Sequence, residues 1–434
     1  MSTFLIAASS FTVMLCFLVL LHEWGHFAAA RLFGVRVEVF SLGFGPRLMH
    51  WKRGDTEYRL SALPFGGYVR MAGDSLSKPR TGAADEYLSK TRLQRVVIAL
   101  AGPAMNLVMA VLLFWASFWL VGLPYPAYLT RAASVAAVAE ESQTSDIHAG
   151  DVITQVDGVN TPSWDAVLAQ AAKAKAGSDI RLVVIRNGIR VTVTVQKDAN
   201  DTSYLGYPLV QPRVDSVTAN SPASKAGLKA GDLVKSVDGD ALVTWPQFVD
   251  MVRESSAPYP VIVVLRGRKT VPLHISEPAD SRTGDEQLGA TPKVKNIYHR
   301  QGFLMSGRVA VLVTFLCVKE IAGVFRGLFS SLISIRELQG VVGIARESGQ
   351  AASHGPAEYL DLMALISLNL GLLNLLPIPI LDGGQVLMLA IEGAFRRDIS
   401  LVVRQRFVQV SVIFLLGLTV LAMFSDIQRI IQSY

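Results

Sequence analysis

His22-Glu23-Trp24-Gly25-His26 closes a run, Thr3 to Leu21, in which no side chain is charged. The run approaches the roughly 20 helical residues that cross about 30 Å of hydrocarbon. Continued as a helix, it stacks positions 22 and 26 on one face, so two imidazoles can share a metal while Glu23 reaches a water beside it. In a soluble helix the same five residues could face solvent or satisfy a core. At the end of an apolar span they carry more weight, because ionisable groups at membrane depth are costly and mark function.

The rest of the 434-residue chain supports a membrane setting. Its composition is 51% hydrophobic, and three further runs are nearly or wholly free of charge: Val96 to Leu123, Ala364 to Leu381 and Phe407 to Phe424. Four transmembrane helices are therefore expected. The first run lacks the basic n-region of a cleaved signal peptide and is read as a retained span. The net charge of +6 is concentrated between the first two runs and after the third, from Arg396 to Arg406. Basic loops of this kind face the cytoplasm, which puts both termini and the central region on the periplasmic side and argues against nucleic acid as a partner. Cys16 and Cys317 are the only cysteines, so neither a disulfide framework nor a cysteine metal site is expected.

A catalytic zinc takes two nitrogens and one carboxylate oxygen and keeps a fourth position open. No other histidine adjoins the motif, so the third ligand is sought among carboxylates at the same depth. Asp382 answers, in Asn374-Leu375-Leu376-Pro377-Ile378-Pro379-Ile380-Leu381-Asp382-Gly383-Gly384. Two prolines interrupt the helix there, and irregular backbone in a membrane is tolerated only where protein or water satisfies it. With the N-terminus outside, the first and third spans both run inward, and Asp382 falls at the same end as His22 and His26. Glu23 is then the general base, taking a proton and returning it to the leaving amine. The segment Val309 to Ser334 is apolar enough to suggest another span. Crossing would place Asp382 on the wrong side and Lys319, Glu320 and Arg326 in hydrocarbon, so it is read as an amphipathic helix on the outer membrane surface.

Between the second and third runs the chain repeats itself. Ala149-Gly150-Asp151-Val152-Ile153-Thr154-Gln155-Val156-Asp157-Gly158 matches Ala230-Gly231-Asp232-Leu233-Val234-Lys235-Ser236-Val237-Asp238-Gly239, with Trp164 and Trp245 following at equal distance. Each copy predicts strands around an Asp-Gly turn, a short helix at the tryptophan and a closing β-branched strand. The copies resemble PDZ domains of the bacterial type. Such domains receive an extended peptide by strand addition, and the same placement fits a sieve over the membrane portion; the residues leave both roles open.

Taken together, the chain resembles the site-2 proteases, specifically the bacterial type with tandem PDZ domains that regulates sigma-E. The marks are the His22 to His26 motif, Gly43-Phe44-Gly45-Pro46, Pro64-Phe65-Gly66-Gly67-Tyr68, Ala101-Gly102-Pro103-Ala104-Met105-Asn106, and Asn374 through Gly383. The likeness spans nearly the full length and departs at Gln339-Gly340-Val341-Val342-Gly343-Ile344, where the family more often has a Gly-Pro pair. The resemblance implies one zinc on His22, His26 and Asp382, Glu23 as base, and substrate held by Asn369, Asn374, Pro377 and Pro379 together with Gly67 and Tyr68. It also implies, as substrates, single-span membrane proteins already trimmed outside, namely anti-sigma factors and signal-peptide remnants. Since a transmembrane helix must unwind before hydrolysis, an edge strand near Gly66 to Met71 is expected to pair with it.

The expected architecture is thus a multi-pass α-helical protein of the bacterial inner membrane with four transmembrane helices, a membrane-associated β-element and two periplasmic PDZ (α+β) domains. Residues 1–126 hold the first two spans, 127–203 and 204–280 the PDZ domains, 281–357 a linker and surface helix, and 358–434 the last two spans. A catalytically idle PDZ receptor is opposed by the intact motif and its matching aspartate. A metal transporter is opposed by the single localised site and the absence of an inverted repeat.

Overall fold

The computed structural model describes residues 2–74, 81–138, 146–198, 202–218, 221–257, 259–275, 288–329, 340–397 and scattered residues from 406 to 423. The chain divides into two units, Met1–Leu123 with Arg300–Tyr434, and Pro124–His299.

In the first unit, helix α1 (Ser2–Leu32) buries Phe11, Met14, Leu18, His22, His26 and Ala30. These positions recur every three or four residues, so the two histidines lie on the stripe by which the helix packs. Val13, Phe17 and Trp24 project outward from its other faces. Strands β1 (Val37–Arg53) and β2 (Thr56–Met71) form an antiparallel pair. Both are bent, and the register Met49↔Leu60, Phe40↔Tyr58 and Phe40↔Val69 arranges them as four segments in the order 47–53, 56–61, 37–42, 67–71. Residues 67–71 are therefore an edge. Helix α2 (Arg92–Leu120) opens on a capping box, Thr91 with Gln94, and contains Pro103.

The second unit holds two α/β modules that show the repeat physically. Helix α3 (Trp164–Ala171) buries Trp164 against Ile153, Ile180 and Leu182. After the short helix α4 (Pro222–Lys225), helix α5 (Trp245–Glu254) buries Trp245 and Phe248 against Val234 and Ile262. Asp151 is paired with Arg186 at 2.8 Å, and Asp232 with Arg266 at 2.7 Å. Asp157 and Asp238 both have positive φ, 48° and 51°, ahead of Gly158 and Gly239, as the tight two-residue hairpin turn requires. The module boundaries differ from those expected. Strand Tyr207–Pro208 pairs with Ala133–Ala137 and completes the first sheet, and Ala290–Pro292 pairs with Val214–Val217 in a separate two-stranded sheet of the second module. Each module is thus closed by a segment beyond residue 203 or 280, through a pairing with a distant strand.

Back in the first unit, helix α6 (Phe303–Phe329) starts ahead of the surface helix expected from Val309, and residues 330–339 lie outside the described residues. Ser306 and Ala310 are buried, and the Trp115 indole N–H donates to the Phe303 carbonyl at 2.9 Å. Helix α7 (Val341–His354) follows, with Gly349 against Ala7 of α1.

Helix α8 (Pro356–Asn374) occupies the third run with a corrected span. It starts at Pro356, where proline suits the first helical position, and stops before Pro377 and Pro379, which cannot continue it, instead of running from Ala364 to Leu381. Helix α9 (Asp382–Phe395) follows at once. Among the described residues α1, α2 and α8 are long and apolar enough to cross a membrane. The fourth expected span, Phe407 to Phe424, lies largely outside the described residues.

Candidate metal centre

Four helices converge on the motif, and small residues let them do so. Gly25 of α1 lies on α2, where a Cβ would be 2.3 Å from the Ala101 carbonyl oxygen. Gly371 of α8 meets the other side of α2 at the Pro103 carbonyl, 3.1 Å from where its Cβ would be. Gly383 and Gly384 allow the first turn of α9 to fold against its own incoming loop, since a Cβ at either would fall within 2.2 Å of the Leu375 or Ile378 carbonyl oxygen. That fold-back leaves Asp382 in the first helical turn, aimed at α1.

The three donor groups meet. His22 Nε2 and His26 Nε2 lie 3.1 and 3.4 Å from Asp382 Oδ2, and the two Nε2 atoms are 3.3 Å apart. Among the described residues, this is the group able to hold a metal ion. Bonds of about 2.0–2.2 Å in a tetrahedron put ligand atoms roughly 3.3 Å apart, so the spacing and the donor set fit zinc. His26 Nδ1 is 2.8 Å from the Ile98 carbonyl. A carbonyl only accepts, so the His26 proton is on Nδ1 and the Nε2 lone pair faces the cluster. His22 Nδ1 is 3.1 Å from the Asn106 side-chain amide. Gly102 completes the cradle. A Cβ there would be 2.3 Å from His26 Nε2 and 2.9 Å from His22 Cε1.

Glu23 projects into the cavity that contains the triad, about 410 Å³, which is also lined by Gly67, Tyr68, Val69, Asn374 and Gln385. Val69 of the edge segment lines the cavity with it. Gly67 packs on the glutamate, with a Cβ there 2.9 Å from Glu23 Cγ. The edge segment of β2 thus flanks the glutamate. Of the residues expected to hold substrate, Gly67, Tyr68 and Asn374 line the cavity, whereas Asn369, Pro377 and Pro379 do not.

Ile98, Gly102 and Asn106 contact the histidines without having been assigned a role from the sequence, although the Ala101 to Asn106 stretch stood out. A buried amide next to a Gly-Pro pair within a span is the signal that could have marked them.

A two-histidine, one-carboxylate group able to hold a metal, at a helix apolar enough to cross a membrane and with a glutamate facing the same cavity, is the arrangement of a metalloendopeptidase. The model described as peptidase family M50 matches residues 10–418, and the chain belongs to this family, the site-2 proteases. It is 33% identical to the regulator of sigma-E protease RseP of Escherichia coli K12, over 99% of this chain and 100% of that one. It is 32% identical to protease RseP of Yersinia pestis over the same shares. A protein of Pasteurella multocida whose name describes a zinc metalloprotease is 31% identical, again over 99% and 100%.

Proposed function

We propose that the chain is an intramembrane zinc endopeptidase of the bacterial cytoplasmic membrane, binding one zinc on His22, His26 and Asp382 and cleaving within or beside the transmembrane segments of single-span proteins. Zinc, when bound, would polarise the scissile carbonyl and acidify a water. Glu23 would accept a proton from the attacking water and deliver it to the leaving amine. The observation that carries the reading is the position of Glu23, in one cavity with the three donors and packed beside an edge strand at Gly67. An unwound segment pairing along residues 67–71 has its own backbone groups satisfied while its carbonyls pass the glutamate. Asn374 faces this path and is assigned to the substrate backbone, while Asn369, Pro377 and Pro379 shape it from outside the cavity.

The two modules are read as PDZ domains on the periplasmic side, with both termini, and the metal centre lies toward the basic, cytoplasmic side. Anti-sigma factors and signal-peptide remnants, cut first outside the membrane, are the proposed substrates. An anti-sigma factor suits the relatives' name, regulator of sigma-E protease, and an envelope stress role.

The experiment is cleavage of a single-span reporter in membranes supplied with zinc, comparing the unchanged chain with Glu23→Gln. The variant keeps the shape of the site and should keep its zinc while losing about 10²–10⁴-fold in cleavage. Equal cleavage by both would remove Glu23 from the mechanism.

A further inference from the structure

We infer that Asn106 is a positioning residue for the metal centre, whose side-chain oxygen takes the Nδ1 proton of His22 and thereby turns the Nε2 lone pair toward the ligand cluster. The inference rests on the metallopeptidase reading above.

Asn106 is fully buried, and its Oδ1 has no hydrogen-bond partner. Its Nδ2 lies 3.1 Å from His22 Nδ1. A neutral imidazole carries one proton, and the two Nε2 atoms of the pair face each other and Asp382. If His22 is to present a lone pair from Nε2, its proton must be on Nδ1, and that proton needs an acceptor. The two ends of an amide have the same shape. A half-turn about its terminal torsion puts Oδ1 where Nδ2 lies, so that the orphaned oxygen gains the imidazole N–H as its donor while Nδ2 takes the place Oδ1 leaves. His26 is already held in this sense by the Ile98 carbonyl. Ligating histidines are usually fixed through their second nitrogen in this way.

The amide is itself held by α8. Ser367 donates its hydroxyl to the Asn106 backbone carbonyl at 2.9 Å, and a Cβ on Gly371 would be 3.3 Å from Asn106 Cβ. The helix that precedes the Asp382 loop therefore also fixes the partner of His22, and one element braces both halves of the ligand set.

The test is zinc affinity by chelator competition on the full chain in detergent, with the absorption of the cobalt-substituted protein as a second readout. Asn106→Leu removes the acceptor at similar volume, and Asn106→Asp keeps an acceptor while removing every donor. The expected result is roughly a 10–100-fold loss of affinity for Asn106→Leu. Asn106→Asp should bind at least as tightly as the unchanged chain, with its cobalt spectrum preserved. Full affinity in Asn106→Leu would overturn the inference, and so would equal weakness of both variants, because an Nδ2 donor would then be what His22 requires. An unchanged chain that binds no zinc would instead overturn the metallopeptidase reading itself, which separates the two failures.

Discussion

Adding one methyl group at Gly102 tests the metal centre most directly. The Cβ of Gly102→Ala would lie 2.3 Å from His26 Nε2, which is 1.1 Å inside the 3.4 Å at which ordinary contact begins, and 2.9 Å from His22 Cε1. The methyl belongs to a helix backbone held by its contacts with α1 and α8, so the imidazoles must move. His26 cannot swing freely, because its Nδ1 is bound to the Ile98 carbonyl at 2.8 Å. Metal bonds tolerate about 0.2 Å, so a displacement near 1 Å takes Nε2 out of the coordination sphere. The expected loss is about 100-fold or more in zinc affinity, or about 2.8 kcal/mol at 1.4 kcal/mol per decade. The assay is zinc stoichiometry and chelator competition on detergent-solubilised protein, with helix content by circular dichroism as the folding control. Unchanged stoichiometry and affinity in a folded Gly102→Ala protein would refute the assignment of the cradle.

Other substitutions separate the remaining parts of the site and fold. Gly67→Ala places a Cβ 2.9 Å from Glu23 Cγ and 2.8 Å from the Ser41 carbonyl oxygen; reporter cleavage should fall at least tenfold with zinc affinity unchanged, since a 1 Å misplacement of a reacting group can cost about 100-fold. Arg186→Met leaves the buried Asp151 carboxylate without its partner at 2.8 Å and should cost about 3–5 kcal/mol, read as lost amide protection in strands Val152–Val156 and Asp179–Arg186. Burial pushes the Asp151 carboxyl up, but Arg186 and the His148 backbone N–H outweigh it and hold it below the usual range. Its contribution to stability is therefore complete above the unfolded value of about 3.9 and is lost as pH falls through the lower folded value. Protection of the unchanged chain should drop in that acid window, and Arg186→Met should lack the step.

Much of the molecule could be read from the chain by itself. Hydrocarbon thickness sets the length of a span, so Thr3 to Leu21 and Val96 to Leu123 identify themselves, and a helical period of 3.6 places His22 and His26 on one face whatever surrounds them. The doubled Ala-Gly-Asp and Val-Asp-Gly pattern revealed two modules, because tight turns impose their residues locally. Depth, a constraint the bilayer adds to the sequence, pointed to Asp382, which the structure places beside His22 and His26. What only the tertiary structure decided depends on contacts between residues far apart in the chain. The closing strands Tyr207–Pro208 and Ala290–Pro292 belong to modules that the local pattern ends earlier, since only pairing with a distant strand assigns them. The start of α8 at Pro356 lies before the apolar run, because a helix boundary follows backbone chemistry and not hydropathy. The Ile98 carbonyl, the Asn106 amide and the bare face of Gly102 came to lie against His22 and His26 only when α2 packed on α1. A carbonyl has no signature in the sequence, and a glycine shows what it makes room for only once the neighbouring helix is in place.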